Sequence, residues 1–219
     1  LKAFENITTP HIYGFAFCQN DITSFLHVIS DGEDEIGGEE AYGVRDNNGI
    51  IDIQLGQDRS DRWGDGKLAE HFIYNEALGN AHINIIRNYL GAKYQIDLGS
   101  NDMYLHDDIY RFNLGGIGRE NQFDLYQDAQ GTGIVRINNP TSLDNGDYFM
   151  WADNNESHSG WIQNVSPFET KMISRIWQVE EVGTIESVDV RIALETLPEN
   201  DLEYVLLIST QPDFSQNNE

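Results

Sequence analysis

Short runs of β-branched and aromatic residues recur along the whole chain, and clusters of Gly, Asn and Asp separate them. This rhythm is typical of strands joined by turns, so it predicts an all-β fold built of antiparallel β-sandwiches. The predicted strands cover residues 12–18, 25–30, 50–55 and 67–74 in the first half and 112–118, 133–137, 148–152, 172–180, 187–194 and 204–209 in the second.

The strictest alternation lies in the strand predicted at 187–194, where four apolar residues are separated by Asp, Arg and Ala. A period of two points successive side chains to opposite faces of a sheet, so one face is buried and the other meets water. We therefore expect burial of this apolar set and of one tryptophan in another strand: Val188, Val190, Ile192, Leu194 and Trp177.

One segment has the spacing of a helix and not of a strand. From residue 80 to residue 93 the apolar residues follow helical spacing, and no proline interrupts them. Asn80 can serve as the N-cap, and Lys93 near the other end interacts favourably with the helix dipole. Because the helix lies near the middle of the chain, it predicts a join between two sandwiches, with domains at residues 1–96 and 97–219.

The chain is strongly acidic: its 219 residues include 37 Asp and Glu against 13 Lys and Arg, a formal net charge of −24. Nucleic acids and anionic membranes are bound through Lys and Arg, so this balance argues against both as partners. No apolar run is long enough to span a bilayer. The acidic surface favours cation binding and a saline or extracellular setting.

The sequence lacks the common signatures of catalysis. Cys18 is the only cysteine, and none of the six histidines has the spacing of a metal-binding pair. Residues 115–118 include three glycines, but no helix pattern opens after them, so close strand packing explains them better than a phosphate site. We expect no catalytic residues and no enzyme activity. A carboxylate pair held across a cleft is the alternative that spacing cannot address.

Two groups of residues are candidates for binding. Asp31, Glu33 and Asp34 crowd carboxylates into one turn, and Ca²⁺ prefers such oxygen ligands. The plainer alternative there is an acidic turn that faces water. Trp63 and Trp161 lie near predicted strand ends among Asp, Asn and Gly, where an aromatic ring can stack on a sugar, and the alternative is ordinary packing.

The segment from Trp63 to Leu78 contains the run Leu68-Ala69-Glu70, and the predicted helix ends in Tyr89-Leu90-Gly91-Ala92-Lys93-Tyr94. These residues resemble the closing strand and final helix of LamG-like (concanavalin A-like) domains. The resemblance covers residues 1–95 and implies the C-terminal portion of such a jelly-roll sandwich. It also implies that the missing half lies upstream of Leu1, and that this upstream polypeptide or another chain covers the first sandwich.

Three motifs mark the second half: Gly116-Ile117-Gly118-Arg119-Glu120, Tyr148-Phe149-Met150-Trp151-Ala152-Asp153-Asn154 and Ser174-Arg175-Ile176-Trp177-Gln178-Val179. Their order and spacing resemble an uncharacterised β-sandwich domain that follows LamG-like modules in large secreted surface proteins of Bacteroidota. Ala152 and Gln178 replace the Gly and Lys usual in that family. The resemblance implies type IX secretion to the cell surface or medium, and a domain that continues beyond this chain.

Together these expectations describe a non-enzymatic extracellular module of a bacterial surface protein or adhesin that binds glycans or other surface proteins. Two alternatives remain open. One is an accessory carbohydrate-binding module of a polysaccharide-degrading enzyme, and the other is a structural spacer in a surface filament.

Overall fold

A computed structural model describes residues 10–19, 24–30, 33–35, 67–74, 78–165, 170–199, 203–211 and 214. Within these ranges the chain forms antiparallel strands and one α-helix, which confirms the predicted all-β, sandwich-like fold. The chain divides into two compact units: residues 13–78 form one, and residues 1–12 together with 79–219 form the other.

The unit at residues 13–78 contains a three-stranded antiparallel sheet. Its strands are β1 (Tyr13–Gln19), β2 (Ser24–Ser30) and β3 (Glu33–Glu35), in the order β1-β2-β3. The strands predicted at 12–18 and 25–30 therefore form, each within one residue of its predicted bounds. The strand predicted at 50–55 lies outside the described residues.

The other unit holds the helix and nine strands among its described residues. The helix α1 spans Asn80–Tyr94. The strands are β4 (Phe112–Asn121), β5 (Asp124–Tyr126), β6 (Asp128–Ala129), β7 (Val135–Asn138), β8 (Tyr148–Asp153), β9 (Trp161–Val165), β10 (Thr170–Ile173), β11 (Trp177–Val182) and β12 (Asp189–Ile192). Short 3₁₀ turns lie at Gly99–Asn101 and Leu194–Thr196.

These nine strands form three antiparallel sheets. The largest has the order β11-β8-β4-β5, a second has the order β12-β7-β6, and β9 pairs with β10 in a two-stranded sheet. β8 lies between β11 and β4. Its residue Trp151 lies opposite Val179 of β11 on one side and Gly115 of β4 on the other.

One face of the four-stranded sheet is covered by α1. Ile85 and Tyr89 of the helix join Leu114 of β4 and Tyr148 and Met150 of β8 in one buried cluster. Each of these side chains is less than a tenth exposed. The helix is therefore stabilised by the packing of its apolar face against the sheet.

The opposite face of the same sheet is covered by the sheet β12-β7-β6. Ile117 of β4 and Trp151 of β8 pack there with Ala129, Val135 and Ile137. Successive residues of β8 thus enter the two clusters in turn, because side chains alternate across a strand. A central sheet buried on both faces results.

The glycines of β4 allow the strand to lie close to its neighbours. A Cβ at Gly115 would lie 2.7 Å from the ring of Trp151, and one at Gly118 would overlap the ring of Tyr148. At Gly116 a Cβ would lie 3.1 Å from Met150. The interpretation of this glycine-rich segment as close strand packing is confirmed.

The helix begins at the predicted residue but with a different cap. The N-cap position is Gly79, which offers no side chain, and Asn80 is the first helical residue. The carboxylate of Asp124 from β5 accepts hydrogen bonds from the backbone N–H groups of Asn80 and Ala81 instead. The predicted Asn80 cap is therefore wrong, because a distant carboxylate fills that role.

The helix packs with strands that follow it in the chain. α1 contacts β4 and β5, and the division between the two compact units falls at Leu78 and Gly79. The apolar face of the helix lies in the cluster formed by β4 and β8. The predicted domains at residues 1–96 and 97–219 stay a prediction.

Several predicted strands have other conformations. Residues 67–74 and 203–209 are described without strand pairing. The strand predicted at 172–180 is broken by residues 174–176 into β10 and β11, which belong to different sheets.

The predicted burial of the alternating apolar set is only partly right. Val188, Ile192 and Trp177 are partly buried against the cluster around Trp151. Val190 is 44% exposed and Leu194 55% exposed, so their predicted burial is wrong. β12 is an edge strand and Leu194 already lies in a 3₁₀ turn, so the second sheet leaves these two side chains uncovered.

Candidate functional site

Trp161, a predicted sugar-binding residue, is the first residue of β9 and lies opposite Ile173 of β10. Its ring stacks against Tyr204, with ring centroids 6.1 Å apart and an interplanar angle of 24°. Tyr204 is 36% exposed and Trp161 is partly exposed. We call these two rings the aromatic platform.

The polar tips of both rings bind the same short loop. Trp161 Nε1 donates to the carbonyl of Glu199 at 3.4 Å, and the Tyr204 hydroxyl donates to the carbonyl of Pro198 at 2.7 Å. Because both donors already have backbone partners, the rings are held in place before any ligand arrives. The exposed parts of the ring faces are what the platform presents to a ligand.

The two segments that carry the platform also contain exposed aliphatic side chains. Ile162 follows Trp161 and is 43% exposed, while Val205, Leu206 and Ile208 follow Tyr204 and are 53–79% exposed. An aromatic pair of this kind can stack on the apolar face of a sugar ring.

The partner of Trp161 could not be read from the sequence. Residues 204–209 predict a strand, and no local pattern links Tyr204 to a ring in β9. In the structure the carbonyls of Pro198 and Glu199 bind both rings, so contacts between distant segments bring Tyr204 to Trp161. The one feature that the two residues share in the sequence is an aromatic side chain.

For the other predicted binding residues, the structure describes either nothing or only the backbone. Trp63 and Asp31 lie outside the described residues, and so do the side chains of Glu33 and Asp34. The calcium prediction at Asp31, Glu33 and Asp34 and the sugar prediction at Trp63 stay predictions. Among the residues that are described, no three His, Cys, Asp or Glu side chains are grouped as a metal site requires.

Asp153, the last residue of β8, forms a buried ion pair with Arg175. Asp153 is fully buried, and its carboxylate accepts from Asn113 Nδ2 at 2.9 Å, Arg175 Nη1 at 3.3 Å and the Asn155 N–H at 2.8 Å. Arg175 also donates through Nε to the carbonyl of Glu156 at 2.7 Å. These hydrogen bonds hold the residues that follow β8 to the segment that precedes β11.

A second polar cluster joins α1 to the central sheet. Asn84 Nδ2 donates to Glu120 Oε1 and to the Tyr148 hydroxyl, each at 3.0 Å, and the Tyr148 hydroxyl donates to the same Glu120 oxygen. Burial raises the pKa of Tyr148 well above its usual range, and the hydrogen bond to Glu120 adds to this effect. The phenol therefore stays protonated and serves as a structural donor.

The motif residues of the second half thus have structural roles. Arg119, Asp153, Asn154 and Arg175 bind loop backbones or one another, and Trp151 fills the core.

Within the part of the chain that the structure describes, no helix has the length and apolar character needed to cross a membrane. A family described as a domain of unknown function (DUF8202) matches residues 82–219, more than half of the chain. The match includes most of α1, all of β4–β12 and the aromatic platform. No curated protein and no solved structure matches the chain.

Proposed function

The chain belongs to the DUF8202 family, a domain of unknown function, and we propose that it is a non-enzymatic binding module for glycans, exposed on a bacterial surface protein or adhesin. The observation that carries this proposal is the aromatic platform of Trp161 and Tyr204. Its two rings are nearly parallel, partly exposed and fixed by backbone carbonyls. Rigid aromatic groups bind with little loss of side-chain entropy.

The polar clusters of the same unit support a binding role over a catalytic one. The Asp153 carboxylate is occupied by three donors, and the Tyr148 hydroxyl is shared between Asn84 and Glu120. A general acid or base needs a group that can reach a substrate and exchange a proton with it. Neither cluster offers such a group.

The extracellular location belongs to the same proposal. It is supported by the net charge of −24 and by the resemblance of the two halves to LamG-like and surface-protein domains. An accessory carbohydrate-binding module of a polysaccharide-degrading enzyme would use the same platform. The coding sequence around this chain decides between adhesin and enzyme, because only an enzyme would carry a catalytic domain.

The binding role is tested by probing a glycan array with the full chain and with Trp161→Ala. We expect bound glycans whose signal falls at least about fivefold in Trp161→Ala, because loss of one stacking aromatic commonly costs more than about 1 kcal/mol in binding. Phe123→Ala is the matched control, because Phe123 is 90% exposed and belongs to the turn between β4 and β5. Its array pattern should equal that of the wild type.

Two results would contradict the proposal. Equal binding by wild type and Trp161→Ala would exclude the platform as the binding site. Absence of binding to every glycan, with the chain folded by circular dichroism, would favour the spacer in a surface filament.

A further inference from the structure

Asn145 and Gly146 form an exposed turn between β7 and β8. Asn followed by Gly is the sequence most prone to deamidation, because glycine has no side chain to hinder ring closure. In that reaction the backbone nitrogen of Gly146 loses its proton and bonds to Cγ of Asn145, and the side-chain amide leaves as ammonia. Water then opens the cyclic imide to aspartate or isoaspartate, which adds a negative charge.

The nucleophile of that reaction is already engaged in the fold. The Gly146 N–H donates to the carbonyl of Arg119 in β4 at 2.6 Å. The neighbouring Arg119 N–H donates in turn to the carbonyl of Asp147 at 3.0 Å. Two backbone hydrogen bonds therefore tie the turn to β4, and one of them is made by the reacting nitrogen itself.

Side chains hold the same turn from both ends. Arg119 Nη1 donates to the carbonyl of Leu143 at 2.9 Å, and Asp147 Oδ2 accepts from the Asp144 N–H at 2.8 Å. Gly146 has a φ of +89°, a conformation that suits glycine and that the turn keeps fixed. Asp147 is buried, although Asn145 and Gly146 are exposed.

We infer that the fold suppresses deamidation at Asn145, because Arg119 holds the Gly146 nitrogen in a hydrogen bond and the turn in one conformation. Water reaches Asn145 freely, so the protection comes from the engaged nucleophile and not from burial. Reaction requires that the turn first leave Arg119, and its rate then follows the population of that locally open state.

Mass spectrometry of peptides from the full chain tests this inference. The folded protein and the protein in guanidinium chloride are incubated at the same alkaline pH and temperature, and conversion of Asn145 is followed over time. We expect conversion at least about tenfold slower in the folded chain, which corresponds to a local opening cost above about 1.4 kcal/mol. Asn48-Gly49, the other Asn-Gly pair, is the internal reference in denaturant, where both sites should react alike.

A pair of variants then tests the part played by the Arg119 side chain. Arg119→Met keeps the aliphatic stem and removes the donor to Leu143, so conversion of Asn145 should become severalfold faster. Arg136→Met is the matched control, because Arg136 is exposed and its guanidinium binds Asp128. It should leave the rate unchanged.

Slow hydrogen exchange of the Gly146 amide in the wild type is expected by NMR, and this measurement needs no variant. Equal conversion of Asn145 in the folded and denatured chain would overturn the inference, as would a freely exchanging Gly146 amide. Equal rates in Arg119→Met and wild type would overturn the contribution of the guanidinium.

Discussion

The carboxylate of Asp124 caps the helix that begins at Asn80, 44 residues earlier in the chain, with Oδ2 2.6 Å from the Asn80 nitrogen. Its other oxygen lies 3.1 Å from the nitrogen of Ala81. A negative charge at a helix N-terminus satisfies free N–H groups and interacts favourably with the helix dipole. Gly79 is required beside it, because a Cβ there would overlap Asp124.

The first prediction follows from this cap. Asp124→Ala should lower the free energy of unfolding by about 1–2 kcal/mol, since two N–H groups lose their acceptor. Urea denaturation measures the change. Asn80→Ala is the control and should cost less than about 0.5 kcal/mol, because Asn80 is inside the helix and its side chain caps nothing. A larger loss in Asn80→Ala than in Asp124→Ala would contradict the observed cap.

The second prediction concerns close packing in β4. Gly118→Ala should destabilise the protein by about 1–3 kcal/mol, because the added methyl group overlaps the buried ring of Tyr148. Gly160→Ala is its control, since a Cβ there meets no atom within 4 Å. The midpoint of urea denaturation should fall for the first variant and stay constant or rise for the second. Equal midpoints would show that β4 can move away from β8 without cost.

The third prediction concerns Asn88, a helix residue that is only 1% exposed. Its Oδ1 accepts from the N–H groups of Met103 and Tyr104 at 2.8 and 3.1 Å, and its Nδ2 donates to the carbonyl of Asn101 at 3.1 Å. Asn88→Ala leaves these backbone groups without partners, so we expect a loss of about 2–4 kcal/mol.

Thermal and urea denaturation measure this loss in Asn88→Ala. Gln130→Ala is the control, because Gln130 is exposed and makes one hydrogen bond to Gly133. Surface changes of that kind cost less than about 0.5 kcal/mol. Similar stabilities for the two variants would mean that water replaces Asn88 at no cost.

The fourth prediction is a loss of stability at alkaline pH. Burial raises the pKa of both Tyr104 and Tyr148 well above 10, their ordinary value. Below pH 10 both phenols are protonated in the folded and the unfolded chain, so their contribution is complete. Above pH 10 the unfolded chain loses these protons while the folded chain keeps them, and each group then lowers the unfolding free energy by up to about 1.4 kcal/mol per pH unit.

Urea denaturation between pH 8 and pH 11.5 measures this decline. Tyr148→Phe removes one of the two titrating groups, so its stability should fall less steeply with pH than that of the wild type, whatever its stability at pH 8. Parallel declines in the two proteins would show that the Tyr148 phenol ionises as easily in the folded chain as in the unfolded one.

The sequence by itself determined the elements whose side-chain pattern is local. In β8, Tyr148 and Met150 face the helix while Trp151 faces the second sheet, as the period of two requires. The spacing of apolar residues from 80 to 93 likewise predicted the helix, and three glycines in a strand predicted close packing. Such patterns depend on the backbone geometry of one segment, which its own residues fix.

Only the tertiary structure decided which distant groups meet. Asp124 replaced Asn80 as the helix cap, and Tyr204 became the partner of Trp161. Val190 and Leu194 have the same alternation as a buried strand, yet both are exposed. Val190 lies in β12 at the edge of its sheet, and Leu194 lies in the 3₁₀ turn after that strand. A local pattern indicates which side chains are apolar. Which neighbour covers such a side chain depends on strand order and on the register between segments that are far apart in the chain.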